Sequence, residues 1–241
     1  LTENSLLIKS FVNNNAITIT LNRPKALNAL DQDMCTNIRD LLLSWKRKDH
    51  NQESIIPSLF IVNGSGSKAF CSGGDVKSIY QDIVKQYPND RGKVIENDLY
   101  LGTGRPGISA SDFFRAEYQM NYLLGTSTIP QISLWDGIVM GGGVGVSVLG
   151  EYRIATEKTL FAMPETAIGL FPDVGSSGWL PHIKSGIGYY IGLTGCRLKA
   201  ADLIYTGIAT HYIPSERLEE LEAELIASSS IDKSQTKKNI L

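Results

Sequence analysis

The chain has 241 residues, 42% hydrophobic and 20% charged, with 23 glycines and 9 prolines. That balance excludes a disordered, collagen-like or disulfide-scaffold protein and is enough for one large domain or two small ones. Twenty-three Lys and Arg against 25 Asp and Glu leave a formal net charge of -2, which argues against a bulk nucleic-acid-binding surface. Cys35, Cys71 and Cys196 are odd in number and form no C-x-x-C pair, so they read as free thiols in a reducing compartment. His50, His182 and His211 are scattered, which leaves little for a metal site. No run reaches the roughly 18 apolar residues of a membrane span; the nearest, residues 137–150, is punctuated by glycine. Neither a signal core nor an Arg- and Ser-rich transit segment opens the chain, which begins at Leu1 and leaves a removed targeting segment open. A soluble, globular, intracellular protein without membrane contact is expected.

In chain order, residues 5–12 and 16–21 alternate and are rich in β-formers, and Asn13-Asn14-Asn15 joins them as a hairpin. A helix is expected from about Asp31, which can cap it. Met34, Ile38, Leu41, Leu42 and Trp45 recur at helical spacing, and Lys46-Arg47-Lys48 suit its C-terminal end. Residues 59–62 read as a short buried strand. Phe70-Cys71 runs into Ser72-Gly73-Gly74-Asp75 and a helical segment over 76–87. Residues 88–111 hold most of the irregular sequence, and a loop of that length within a compact domain marks a functional or mobile segment. A helix over 112–124 follows, then strands at 131–134, 152–155 and 160–163, with the apolar run 144–149 expected as helix. A last helix after Ser215 carries Leu218, Leu221 and Leu225 on one stripe, before a polar run over 228–239 expected to fray. Strands alternating with helices indicate an α/β architecture.

The most informative stretch is Asp136-Gly137-Ile138-Val139-Met140-Gly141-Gly142-Gly143-Val144-Gly145. Consecutive glycines let backbone approach a ligand and present unblocked N–H groups at a helix start. Such donors can hold a developing oxyanion, worth about 3–4 kcal/mol each in other enzymes. Close helix–strand packing explains the same glycines equally well. The stretch matches neither the dinucleotide fingerprint nor a P-loop, which argues against a nucleotide. Ser72-Gly73-Gly74-Asp75 is a second strand-to-helix glycine turn. Two such turns converging could supply two donors to one carbonyl oxygen, and a plain helix cap is the alternative.

Three carboxylates stand out. Glu117 shares a helical face with Phe113, Met120 and Leu124, where a charge is costly unless paired or used. A buried ion pair or a snorkelling edge residue is the alternative there. Glu165 follows Ala162-Met163-Pro164 and Asp173 follows Leu170-Phe171-Pro172, each behind a proline that fixes the approach. Acids so placed suit general acid–base work or nucleophilic attack, with turn-forming acids as the alternative. No G-x-S-x-G elbow occurs and no Cys has a nearby His, so Ser and Cys nucleophiles are unsupported.

Four segments, in order and spacing, resemble the crotonase (enoyl-CoA hydratase/isomerase) superfamily over residues 6–225. They are Asn22-Arg23-Pro24-Lys25-Ala26-Leu27-Asn28-Ala29-Leu30, Lys68-Ala69-Phe70-Cys71-Ser72-Gly73-Gly74-Asp75, the stretch from Asp136 to Gly145, and Met163-Pro164-Glu165. Within the superfamily the likeness is nearest to the 3-hydroxyisobutyryl-CoA hydrolase branch. It is carried by Phe113-Phe114-Arg115-Ala116-Glu117-Tyr118, by Met140 to Gly145, and by residues 162–175 with Glu165 and Asp173. The resemblance implies an α/β crotonase-type fold of stacked ββα units, with two roughly perpendicular sheets surrounded by helices. It implies one core domain over residues 1–241 lacking the family's C-terminal helical region, with the 88–111 loop near the pocket.

The same resemblance implies an oxyanion hole on the N–H groups of Gly74 and Gly142, and catalysis by Glu165 and Asp173. It implies that Glu117 contacts the polar end of the substrate, and that backbone around Lys25, Ala26, Leu27, Ser72 and Asp75 lines a CoA groove. No metal or separate cofactor is implied, coenzyme A being part of the substrate. Hydratases of the superfamily carry a second glutamate where this chain has Gly145 and a small residue where it has Asp173. The resemblance therefore implies hydrolysis of a short hydroxyacyl-CoA thioester in valine breakdown, with Glu165 attacking or activating water and Asp173 assisting proton transfer to the CoA thiolate. A mitochondrial location goes with it, and homo-oligomerisation or assembly into a larger complex stays open. Two other readings remain: a hydratase or isomerase using Glu165 alone, and a non-catalytic structural subunit of a mitochondrial ribosome that docks without direct nucleic-acid binding.

Overall fold

Period-2 alternation in the first two segments produces the expected hairpin. In the computed structural model, which describes residues 7–12, 15–46, 56–86 and 109–229, β1 (Leu7–Val12) pairs antiparallel with β2 (Ala16–Leu21). Ser5, Leu6, Asn13 and Asn14 of that hairpin lie outside the described residues. The chain then enters α1 (Gln32–Lys46), whose first turn is capped by the Asp31 carboxylate accepting from the Met34 N–H at 2.9 Å. Met34, Ile38, Leu42 and Trp45 are buried along one face, as their spacing requires. Arg47 and Lys48 lie outside the described residues.

Seven further strands complete two sheets. β3 (Leu59–Gly64), β4 (Ala69–Cys71), β5 (Gln131–Trp135), β6 (Ile138–Met140), β7 (Tyr152–Ala155), β8 (Leu160–Ala162) and β9 (His211–Tyr212) each pair in parallel. The larger sheet runs β1-β2-β3-β5-β7-β9 and the smaller β4-β6-β8. Ile17, Ile19, Phe60, Val62 and Trp135 on one face of the larger sheet join α1 in the main core. On the other face, Ala16, Leu59, Ile61, Ile132, Leu134 and Ile154 are covered by Leu225 of the last helix (Leu218–Ser228), with Leu218 and Leu221 beside it. Burial on both faces explains why Leu59-Phe60-Ile61-Val62 is continuously apolar rather than alternating. Glu222 ties that helix down, accepting from Thr18 Oγ1 at 3.0 Å and from Asn63 Nδ2 at 3.2 Å.

The architecture is the expected α/β one, with local differences. After α2 (Val76–Gln86), α3 spans Ser109–Gly125, so residues 109–111 form its first turn instead of ending an irregular loop. Tyr87 and residues 88–108 lie outside the described residues, as does the polar run from 230 onward. The run 144–149 does not form the expected helix. α4 is a single turn over Gly142–Gly145, followed by hydrogen-bonded turns over 146–149, consistent with the poor helix propensity of its glycines. β6 and the short helices Ser176–Trp179, Ile187–Thr194 and Ala200–Thr206 go beyond the expected elements.

One strap positions the site. After a 3-10 turn at Pro24–Ala26, Leu27 and Asn28 take left-handed φ values of 52° and 54°. Asn tolerates that region better than most residues, and Asn28 is fully buried. Its Nδ2 donates to the Ser65 and Ala69 carbonyls, and its Oδ1 accepts from the Arg23 N–H. The strap is stitched to the second glycine turn by Ser72 N–H to Leu27 O (3.0 Å), Leu30 N–H to Gly73 O (2.8 Å) and Asp75 N–H to Leu30 O (2.8 Å). Asn28→Ala removes three hydrogen bonds to backbone, one of them fully buried, and is expected to lower unfolding free energy by about 3 kcal/mol in urea titration; a loss under about 1 kcal/mol would contradict this role.

Candidate active site

Three neighbouring parallel strands end together. β4 ends at Cys71, β6 at Met140 and β8 at Ala162, and the segments leaving them carry Ser72 to Asp75, Gly141 to Gly145 and Met163 to Glu165. Open parallel sheets present their ligand sites at these carboxyl ends. Gly141 bends away from β6 with φ 50° and ψ -118°, a conformation L side chains avoid, while its N–H donates to Ala162 O at 3.3 Å. This places the two glycine turns side by side. A Cβ built on Gly142 would lie 3.1 Å from the Gly74 nitrogen and collide with Glu117 Oε1. Neither the Gly74 nor the Gly142 N–H donates to a backbone carbonyl among the described residues. The two glycine turns singled out in the sequence are therefore neighbours in the fold.

The three acids gather around them. Glu117, on the buried face of α3 with Phe113 and Met120, is 2% exposed, and its Oε1 has no hydrogen-bond partner. Among the described residues no cation pairs with it. Burial, with Asp173 and Glu165 nearby, pushes its pKa up to about 8, so it is mostly neutral at pH 7. Glu165 opens a 3-10 turn (Glu165–Ile168) and is also buried. Its Oε1 lies 2.9 Å from where a Gly141 Cβ would stand, and its Oε2 is unpaired. Burial raises its pKa to about 7; its own backbone N–H opposes the rise and Asp173 adds to it. Asp173 is half-buried, and its Oδ2 accepts from the Tyr118 hydroxyl at 2.7 Å.

Lys25 is exposed, whereas Ala26, Leu27 and Ser72 are half-buried along the strap and the turn it braces. Asp75 has a visible structural task as well. Its Oδ1 accepts from the Ser78 N–H at the start of α2, and its Oδ2 pairs with Arg23 at 2.8 Å. Two further residues shape the site. Tyr118 closes the 113–118 segment that carries the family resemblance, but nothing in its sequence setting marks a role for it. Val174, with an unusual φ of 45°, sets its Cγ1 and Cγ2 3.0 Å from where a Gly145 Cβ would stand, so position 145 has no room for a side chain. A thiol nucleophile is disfavoured: burial pushes the Cys71 thiol up to about 12 and that of Cys35 higher still.

A sequence profile of the enoyl-CoA hydratase/isomerase family matches residues 16–241. Over 215 residues the chain is 46% identical to a mitochondrial 3-hydroxyisobutyryl-CoA hydrolase of Xenopus laevis, covering 89% of this chain and 49% of that protein. The human protein of the same name is 44% identical over 215 residues, with coverages of 89% and 49%. The chain thus spans about half the length of these curated relatives. A carnitinyl-CoA dehydratase from Mycobacterium thermoresistibile superposes with a TM-score of 0.77 at 34% identity, over 94% of this chain and 58% of that one.

The raised acids fix a pH dependence. Folding holds the Glu117 proton more tightly than the unfolded chain does, so its contribution to stability is complete below about 4.5 and is lost as pH rises towards about 8. Glu117→Gln is therefore expected to gain stability relative to the parent chain between pH 5 and pH 8, read from denaturant midpoints. A stability difference that stays constant or shrinks with pH would show that Glu117 is not held neutral.

Proposed function

The chain belongs to the enoyl-CoA hydratase/isomerase family, and from that premise we propose that it hydrolyses a short hydroxyacyl-CoA thioester of the 3-hydroxyisobutyryl type to the free acid and CoA. The observation that carries this reading is the closed position 145. A family hydratase places its second carboxylate there, whereas here Val174 occupies the space and Asp173 presents a carboxylate next to it in the chain.

In this reading the thioester oxygen accepts from the Gly74 and Gly142 N–H groups. Because the backbone already holds both donors in place, little reorganisation opposes charge building on that oxygen. Glu165, with a pKa of about 7, is substantially ionised at neutral pH and can act as nucleophile or base. It attacks the carbonyl carbon or takes a proton from an attacking water. A C–O bond forms, the C–S bond breaks, and the electron pair leaves on the CoA sulfur. Asp173, oriented by the Tyr118 hydroxyl, assists proton transfer to that thiolate. When Glu165 is the nucleophile, a later water cleaves the resulting anhydride. Neutral Glu117 is left to contact the polar end of the acyl group. Backbone at Lys25, Ala26, Leu27, Ser72 and Asp75, strapped together beside the oxyanion hole, lines the CoA groove.

The relatives' names support a mitochondrial setting, and the family resemblance supports a role in valine breakdown. The large exposed side chains of Tyr189, Tyr190, Leu193 and Tyr205 support self-association or docking in a larger complex. The purified protein is expected to release CoA thiol from hydroxyacyl-CoA thioesters, with kcat rising with pH through about 7 as Glu165 ionises. Glu165→Gln and Asp173→Asn should each lower kcat by about 10²–10⁴-fold. Loss of enoyl absorbance without thiol release would move the assignment to a hydratase using Glu165 alone, and silence on every thioester would contradict an enzymatic role.

A further inference from the structure

One helical turn beyond Glu117, α3 carries Asn121, which is 4% exposed and has no hydrogen-bond partner at either Nδ2 or Oδ1. Buried amides with both ends unpaired are rare, because the hydrogen bonds given up to water go uncompensated. Helical side chains lean toward the N-terminus of their helix, so this amide leans over the turn bearing Glu117 and Tyr118. Residues four apart on a helix stand about 5–6 Å apart at Cβ. Glu117, four residues earlier on the same buried face, carries an Oε1 that is also unpaired.

Asn121 also borders a cavity of about 370 Å³, whose walls include Tyr118, Tyr122, Gly125, Leu149 and Gly175. Tyr118 donates to Asp173, and Gly175 lies two residues beyond Asp173, so the cavity lies beside the Tyr118–Asp173 pair. Leu149 Cδ1 stands 3.1 Å and 3.4 Å from where Cβ atoms on Gly125 and Gly175 would be, making one leucine an apolar wall between two glycines. A short branched acyl chain suits that wall, and a group that both accepts and donates a hydrogen bond suits the polar pair. A hydroxyl is such a group.

We propose that Asn121 is a specificity-determining residue: its Nδ2 donates to a hydroxyl oxygen on the acyl chain while Glu117 Oε1 accepts that hydroxyl's proton. The inference rests on the thioester-hydrolase reading of the same site. A substrate lacking the hydroxyl leaves both buried groups unpaired, and sites built to bind a hydroxyl reject such analogues strongly.

The test compares kcat/KM for 3-hydroxyisobutyryl-CoA and isobutyryl-CoA, which share a carbon skeleton. The parent protein is expected to favour the hydroxylated thioester by about 100-fold or more. Asn121→Leu, close in volume but unable to hydrogen-bond, should bring that preference to within about tenfold of unity by slowing the hydroxylated substrate selectively. Proportional loss on both substrates would reveal a purely structural residue and overturn the proposal, as would a parent protein with no preference. Should Asn121→Leu fail to fold, as judged by circular dichroism, Asn121→Ser is read by the same ratio. If the parent releases no thiol from either compound, the hydrolase reading fails on its own. Equilibrium competition between the two thioesters then decides for Asn121: a binding preference lost in the variant supports it, and equal binding overturns it.

Discussion

A Cβ on Gly142 would sit 3.1 Å from the Gly74 nitrogen and strike the Glu117 carboxyl, so two backbone turns and a buried acid share one small space. The rest of the site depends on that close approach. It exists because β4, β6 and β8 run parallel and stop level with one another, delivering two glycine turns and Glu165 to the same sheet end. The approach is braced from the strap side, where Leu27 and Leu30 bond to the turn at 72–75 and Asn28 locks the left-handed bend. Arg23 adds a bond to the Ala29 carbonyl and an ion pair to Asp75. Two backbone N–H groups without a backbone acceptor, on turns this close, are a poor arrangement for folding alone and would suit a carbonyl oxygen.

The second constraint is electrostatic. Three carboxyl groups crowd a region where the described residues supply no neutralising cation, and burial is the first cause of the rise at both Glu117 and Glu165. Both are raised, Glu117 to about 8 in the more buried position and Glu165 to about 7. Environments that push neighbouring carboxyls apart are how one site assigns different proton tasks to chemically similar groups. Asp173 differs again, being half-buried and fixed by a phenol that itself resists ionisation, since burial and the adjacent Asp173 raise the Tyr118 pKa.

Much of this was legible before any coordinates. The hairpin, α1 and the buried run 59–62 follow from alternation and helical spacing, because each buries a face large enough to leave a pattern. β6 left none: Ile138-Val139-Met140 is a three-residue strand inside a glycine run, held by partners distant in the chain. The helices at 176–179, 187–194 and 200–206 are too short to show a face of their own. Among the site residues, Glu117 was marked by its apolar neighbours, and Glu165 and Asp173 by their prolines. Their convergence rested on family resemblance, since local pattern cannot say which loops meet. Tyr118 lay hidden as an ordinary exposed helix tyrosine, and Val174 because its contact with Gly145 depends on a backbone φ of 45° that composition does not announce.

The central claim is that the Gly74 and Gly142 N–H groups polarise one thioester carbonyl. Isotope-edited infrared spectroscopy on the Glu165→Gln variant, with a hydroxyacyl-CoA carrying a ¹³C carbonyl, measures this directly. The account predicts a carbonyl stretch displaced to lower frequency on binding, relative to the same thioester in water. A bound thioester with an undisplaced stretch would contradict it.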